Sequence, residues 1–200
     1  MLAVSKGQSI ERIAQAIAAG QAAFGENYVQ EAVQKMEQLP RAAVPLEWHL
    51  IGPLQSNKTR VAAERFSWVQ TVASEKIARR LSEQRPASLP PLNVLIQVNV
   101  SGEASKSGTA LAEVDALASA ISKMPNLRLR GLMAIPEPGA DRSRYASVKL
   151  VYDRLKSQFG FDTLSMGMSD DLETAIAEGS TMVRIGTAIF GPRQKQKDAA

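Results

Sequence analysis

Lys6 closes a short apolar run, Met1-Leu2-Ala3-Val4-Ser5-Lys6. A run of this kind reads as a buried parallel strand with the lysine at its carboxyl end. In α/β sheets and in (β/α)8 barrels that end is where ligands sit. Partial desolvation there disfavours the ammonium form and frees the amine as a nucleophile toward an aldehyde. Taken alone, the residue also fits an ordinary surface lysine after a strand. Arg184 is the second candidate. It alternates with Val183 and Ile185 in an apolar run, and a charge buried there must be paired or must face a ligand. Pointing into a barrel, it would donate to a ring nitrogen or a carboxylate. The structural alternative is an ion pair, with Glu26 as the partner.

Two loops have the composition of anion sites. Met166-Gly167-Met168-Ser169-Asp170-Asp171 follows the seventh strand-like run, and Gly186-Thr187 follows the eighth. Barrels often hold a phosphate between the loops after strands seven and eight, helped by a helix N-terminus. Glycine lets the backbone approach the anion, and Ser169 and Thr187 bring hydroxyl donors. Asp170 and Asp171 look wrong for an anion, unless a capping aspartate turns onto its own helix; Asp170 with Glu173 has capping-box spacing. Asn27, after the second strand, either bonds a ligand oxygen or caps its helix. Met133 is a core residue by default and a pocket wall at best. His49 is the single histidine. It has no metal-site spacing, so it reads as a core residue, with a place in a ligand pocket as the alternative. No Gly-x-Ser-x-Gly elbow is present. A lysine amine and a phosphate cradle at one mouth suit pyridoxal 5′-phosphate, which carries both an aldehyde and a phosphate. A Schiff-base aldolase acting on a sugar phosphate would need the same parts.

The elements that must hold these residues alternate between short apolar runs and amphipathic helical stretches, the pattern of βα units and a parallel sheet. Strands are expected at 1–6, 22–25, 46–52, 66–72, 93–100, 127–135, 162–166 and 181–185. Seven helical crossovers join them; one is expected over 109–124, after an exposed polar loop at 101–108. Eight strands close a (β/α)8 TIM barrel and leave no free edge. An open doubly wound sheet is the alternative, but Gly-x-Gly-x-x-Gly is missing after the first strand. The chain of 200 residues is long enough for one core. Residues 1–191 are expected to form a single domain, with a polar basic tail over 192–200. That tail carries much of the net charge of +4, and only 5% of residues are aromatic, so a nucleic-acid surface is not expected. There are no cysteines, which suits a reducing cytoplasm and removes thiolate chemistry. No apolar run has membrane-spanning length, and no signal peptide is expected.

Six ordered motifs resemble the YggS/PROSC family of pyridoxal phosphate homeostasis proteins. They are Leu2-Ala3-Val4-Ser5-Lys6, Phe24-Gly25-Glu26-Asn27-Tyr28, the run from Trp48-His49-Leu50 through Gln55-Ser56-Asn57-Lys58, Gly131-Leu132-Met133-Ala134-Ile135, the Met166–Asp171 loop and Val183-Arg184-Ile185-Gly186-Thr187 with its continuation to Gly191. The resemblance implies a barrel like the N-terminal domain of alanine racemase, of the type III class of pyridoxal phosphate folds. Lys6 would hold the cofactor as a Schiff base, with Ser169, Gly186 and Thr187 on its phosphate. Arg184 would face the pyridine nitrogen without protonating it, leaving the ring a poor electron sink. Asn27 and Met133 would complete the pocket. The family carries and buffers the cofactor, supplies it to apo-enzymes that use it, and is regarded as non-enzymatic. It lacks the second domain that gives alanine racemases a tyrosine base, and racemisation needs proton transfer on two faces. An amino-acid racemase is therefore the alternative. A cytoplasmic monomer is expected. Two departures stand out. Relatives usually carry a helical segment before the first strand, so the seam between the last and first strands is expected to be thinly covered. Gly7-Gln8 stands where Thr-Lys is common.

Overall fold

The computed structural model describes residues 1–39, 44–102 and 107–191. In chain order the elements are β1 (Leu2–Val4), α1 (Ile10–Ala18), β2 (Ala23–Glu26), α2 (Val29–Gln38), β3 (Glu47–Leu50), α3 (Thr59–Arg65), β4 (Trp68–Val72) and α4 (Glu75–Gln84). There follow β5 (Leu92–Asn99), β6 (Thr109–Ala110), α5 (Val114–Ile121), β7 (Leu127–Ala134), α6 (Arg142–Phe159), β8 (Thr163–Ser165), α7 (Leu172–Ala177), β9 (Arg184–Ile185) and α8 (Thr187–Phe190). The sheet order is β8-β7-β5-β4-β3-β2-β1-β9, with every pairing parallel. A parallel bridge from Ser165 to Met182 and the bond from Arg184 N to Gly167 O (3.0 Å) bring the two ends together. The result is the eight-stranded (β/α)8 barrel expected from the alternation of strands and helices.

Strand periodicity splits the barrel into two layers. Phe24, Trp48, Val69, Val94, Ile96 and Leu164 belong to the large core shared with the helices. Their neighbours face inward, and there Trp68, Leu95 and Met133 form a separate buried cluster. The inward layer also holds buried polar groups, His49, Gln70, Ser165 and Arg184. Each helix buries one stripe, as on α6, where Tyr145, Val148, Tyr152 and Leu155 are buried. Ser9 and Ser74 cap α1 and α4 with their hydroxyls, which satisfies amides that the first turn leaves open.

Three local expectations are corrected. The helix expected from residue 109 starts later. Thr109–Ala110 pairs instead with Val98 and Asn99, and α5 begins at Val114. Gly108 allows this. Its φ is +122°, and a Cβ there would lie 2.5 Å from the Asn99 nitrogen, so only glycine lets the two segments approach. The capping box at Asp170 does not form. Asp171 is the N-cap of α7, and its carboxylate accepts from Met168 N and Tyr145 Oη, both at 2.6 Å, so it ties the loop to α6. Thr187, read from sequence as part of the loop after the eighth strand, instead opens the helical turn α8, which runs to Phe190. Phe190 is buried and its carbonyl accepts from Arg12 Nη1 at 2.9 Å, so α8 and α1 together cover part of the β9–β1 seam. The expected tail over 192–200 and part of the 101–108 loop fall outside the described residues.

Candidate functional site

The carboxyl ends of the strands converge on one cavity of about 260 Å3. Its wall includes Lys6, Asn27, Ser169, Arg184, Gly186 and Thr187, six of the seven residues singled out from sequence. The seventh, Met133, is fully buried with Trp68 and Leu95 and is not on that wall. Val4, Ile51, Ile135, Met168 and Asp170 complete the lining. A second cavity of about 350 Å3 adjoins it and shares Asn27, Ile51 and Ile135.

Lys6 follows β1, and the residues on both sides of it are held by charge. Lys35 of α2 is almost wholly buried; its Nζ donates to Ser5 O (2.6 Å), Glu26 Oε1 (2.7 Å) and Glu31 Oε1 (2.7 Å). Ser5 Oγ donates to Glu26 Oε1 at 2.6 Å, and Gly7 N donates to Glu31 Oε1 at 2.6 Å. The peptide before Lys6 and the peptide after it are thus fixed to β2 and α2, which leaves the lysine side chain to meet the cavity. Burial raises the Glu26 carboxyl above its ordinary pKa, and the Lys35 ammonium opposes that rise. This pairing removes the ion pair between Arg184 and Glu26 that the sequence allowed.

Asn27 continues β2. Gly52 makes room for it: a Cβ at Gly52 would lie 2.2 Å from the Asn27 carbonyl oxygen. On the opposite side Ser169 and Thr187 expose their hydroxyls, and Gly186 precedes Thr187 with no side chain between backbone and cavity. Two hydroxyls and glycine backbone suit a phosphate dianion. The helices here are short, six residues in α7 and four in α8, so hydroxyls and loop amides rather than a long helix dipole would carry the anion.

Arg184 is 3% exposed. Nη1 donates to Ser165 O (2.9 Å) and Ser165 Oγ (2.8 Å), and Nη2 donates to Ala134 O (2.9 Å). No carboxylate ion-pairs with it among the described residues. Burial lowers its pKa to about 10, which leaves it cationic at neutral pH. A buried guanidinium with three neutral acceptors and one side on a cavity is built to meet an acceptor on a ligand.

His49 is a core residue, as the simpler reading had it. It stacks on Trp68 with centroids 5.0 Å apart, and its Nδ1 lies 3.0 Å from Gln70 Nε2. Burial lowers its pKa below 6.5. The unfolded chain therefore takes up the proton first, and stability contributed by neutral His49 is lost as pH falls below about 6.5. Between about pH 7.5 and 5.5 this should lower the melting temperature. Thermal melts at the two pH values should show this fall in the wild type and a smaller one in His49→Gln. Equal falls would refute the assignment; Glu26, whose raised pKa pulls stability the other way, is present in both proteins.

Sequence reasoning missed Lys35, Gln70 and Ser165. Lys35 lies beside the apolar stripe of α2, so its burial was not visible from periodicity. Gln70 and Ser165 occupy inward positions of apolar strands, a signal of the kind that singled out Arg184.

The alanine racemase N-terminal domain profile matches residues 3–194. A pyridoxal phosphate homeostasis protein of Pseudomonas aeruginosa is 61% identical over 195 residues, covering 96% of this chain and 84% of that protein. The chain belongs to the pyridoxal phosphate homeostasis protein family. The Escherichia coli K12 member is 57% identical, with 98% of this chain and 87% of that protein covered. PipY of Synechococcus elongatus, solved with PLP bound, is 37% identical with a TM-score of 0.84 over 96% of this chain and 92% of that one. Alanine racemase from Corynebacterium glutamicum shares the fold, at 20% identity and a TM-score of 0.74; this chain spans 57% of it. Among the described residues no helix is long and apolar enough to cross a membrane.

Proposed function

We propose that this chain binds, buffers and delivers pyridoxal 5′-phosphate and performs no catalysis of its own. The observation that carries the reading is one cavity that gathers a strand-end lysine amine, two hydroxyls at glycine-bearing loops and a buried arginine without a carboxylate partner among the described residues. The PLP bound to PipY and the names of the close relatives support it. When bound, the cofactor supplies an aldehyde that condenses reversibly with a primary amine. Lys6 is the residue for that link. Ser169, Thr187 and Gly186 hold the phosphate, Asn27 borders the ring, and Arg184 donates to the pyridine nitrogen. An arginine there keeps the nitrogen unprotonated and restrains carbanion chemistry.

Besides Lys6 and Arg184, the titratable side chain on the described wall is the exposed Asp170. That is a poor set for racemisation, which needs an acid and a base on two faces. The protein works as a cytoplasmic monomer made of one barrel domain over residues 1–191, and its partners are apo-enzymes that need the cofactor.

The test is an absorbance titration of purified protein with pyridoxal phosphate, followed by borohydride. A new band near saturation, one cofactor fixed covalently per chain, activation of an apo-enzyme and no turnover of L- or D-amino acids are expected. A protein that gives no new band and fixes no cofactor on borohydride treatment sinks the reading, and measurable amino-acid turnover replaces the carrier with the racemase.

A further inference from the structure

Four buried polar side chains from four strands form one line through the barrel interior. They are His49 on β3, Gln70 on β4, Ser165 on β8 and Arg184 on β9, all fully or nearly fully buried. Arg184 Nη1 lies 2.8 Å from Ser165 Oγ, Ser165 Oγ lies 2.7 Å from Gln70 Oε1, and Gln70 Nε2 lies 3.0 Å from His49 Nδ1. The line starts at the candidate cofactor cavity, where Arg184 is part of the wall. It ends toward the opposite mouth, where His49 Nε2 lies 3.7 Å from Glu47 Oε2.

Donor and acceptor roles along the line follow from its charged end. A guanidinium only donates, so Ser165 Oγ accepts from it. The single hydroxyl proton of Ser165 then goes to Gln70, which must present Oε1. That sends the Gln70 amide nitrogen toward His49 Nδ1, which must accept. The imidazole proton therefore sits on Nε2, facing Glu47. Each link sets the next, and none of the four side chains can reorient without breaking a buried hydrogen bond.

We propose that Ser165, Gln70 and His49 are positioning residues that fix the Arg184 guanidinium toward the ring of the bound cofactor. This rests on the cofactor reading above. It adds that the polar interior of the barrel is part of the binding machinery: a ligand acceptor that draws on Arg184 is felt at His49.

The test uses the fact that the chain has a single histidine, so its imidazole nitrogen signals need no assignment. In the ligand-free wild type near neutral pH, long-range proton–nitrogen correlation should show the Nε2–H tautomer alone. In Ser165→Ala the Gln70 amide is released, and the signals should move toward a tautomer mixture. Pyridoxal phosphate should shift the His49 signals in the wild type and not in Ser165→Ala. In Ser165→Ala and Gln70→Leu the bound cofactor's absorbance band should move and its affinity fall about tenfold, while borohydride still labels Lys6. Ser165→Thr returns the hydroxyl and should restore the wild-type tautomer and band, which a mere packing role for the position would not do. Unchanged tautomer, band and ligand response in Ser165→Ala would overturn the proposal. Failure of the wild type to take up the cofactor would instead sink the functional reading, and the ligand-free tautomer would still decide whether the line exists.

Discussion

Lys6→Ala protein mixed with pyridoxal phosphate should develop no Schiff-base absorbance band and should carry no covalently fixed cofactor after borohydride. The loss should be large because nothing else described on the cavity wall offers a primary amine. Phosphate and ring contacts remain in the variant, so residual binding is expected, weaker by about a hundredfold, or ~2.7 kcal/mol. Thermal melts give an independent readout. A ligand at a hundred times its dissociation constant stabilises the native state by about 2.7 kcal/mol, equivalent to a rise of about 5–11 °C in a chain of this size. The wild type should show such a rise and Lys6→Ala little of it. The clamp formed by Ser5, Glu26, Glu31 and Lys35 uses backbone atoms around Lys6, so it stays in place in the ligand-free variant. Lys76→Ala, at an exposed lysine of α4, is the control. Covalent labelling that survives in Lys6→Ala would move the reactive amine elsewhere.

Lys35→Met should be the most damaging single change to the fold near the site. Methionine keeps much of the side-chain volume, so packing is largely preserved and the effect is electrostatic. Without the ammonium, the fully buried Glu26 has only Ser5 Oγ as a partner for Oε1, and its Oε2 has no hydrogen bond even with Lys35 present. Leaving a buried charge uncompensated costs about 3–5 kcal/mol, a drop of about 6–20 °C in melting temperature. The sign of the pH dependence identifies the cause. The Glu26 carboxyl is already raised by burial and rises further without Lys35, so protonation relieves the variant. The deficit relative to wild type should therefore shrink as pH falls toward 5. The double variant Lys35→Met with Glu26→Gln should recover much of the loss, because the two residues act as a pair. A deficit that is constant with pH would point to packing instead. Lys35→Met should also weaken cofactor binding, since Ser5 O loses its donor and Glu31, which accepts from Gly7 N, loses the ammonium that holds it.

The architecture was legible in the sequence because its signal is local. Eight short apolar runs with amphipathic stretches between them have one economical closed solution, and each run appears as a strand at the expected place. Lys6 and Arg184 stood out for the same local reason: each is a charge at a position where periodicity demands burial or a ligand. The two loops after the last strands were readable from glycine and hydroxyl content. The family resemblance added roles to those residues, and the comparisons support the family to which they belong.

What the sequence could not decide is pairing across the barrel. Arg184 had two candidate uses, and only the arrangement of β2, α2 and β9 shows that Lys35 takes Glu26 and leaves Arg184 to Ser165 and Ala134. His49, Gln70 and Ser165 are 21 and 95 residues apart along the chain, yet closure of the sheet makes them neighbours. Asp170 had capping-box spacing with Glu173, but Asp171 is the N-cap of α7, and Tyr145 on α6 binds its carboxylate from outside the segment. Hydrophobic period and turn chemistry act over a few residues and are written in order. A buried hydrogen bond is chosen by which groups the closed barrel deprives of water together, and that choice exists only once the chain has folded.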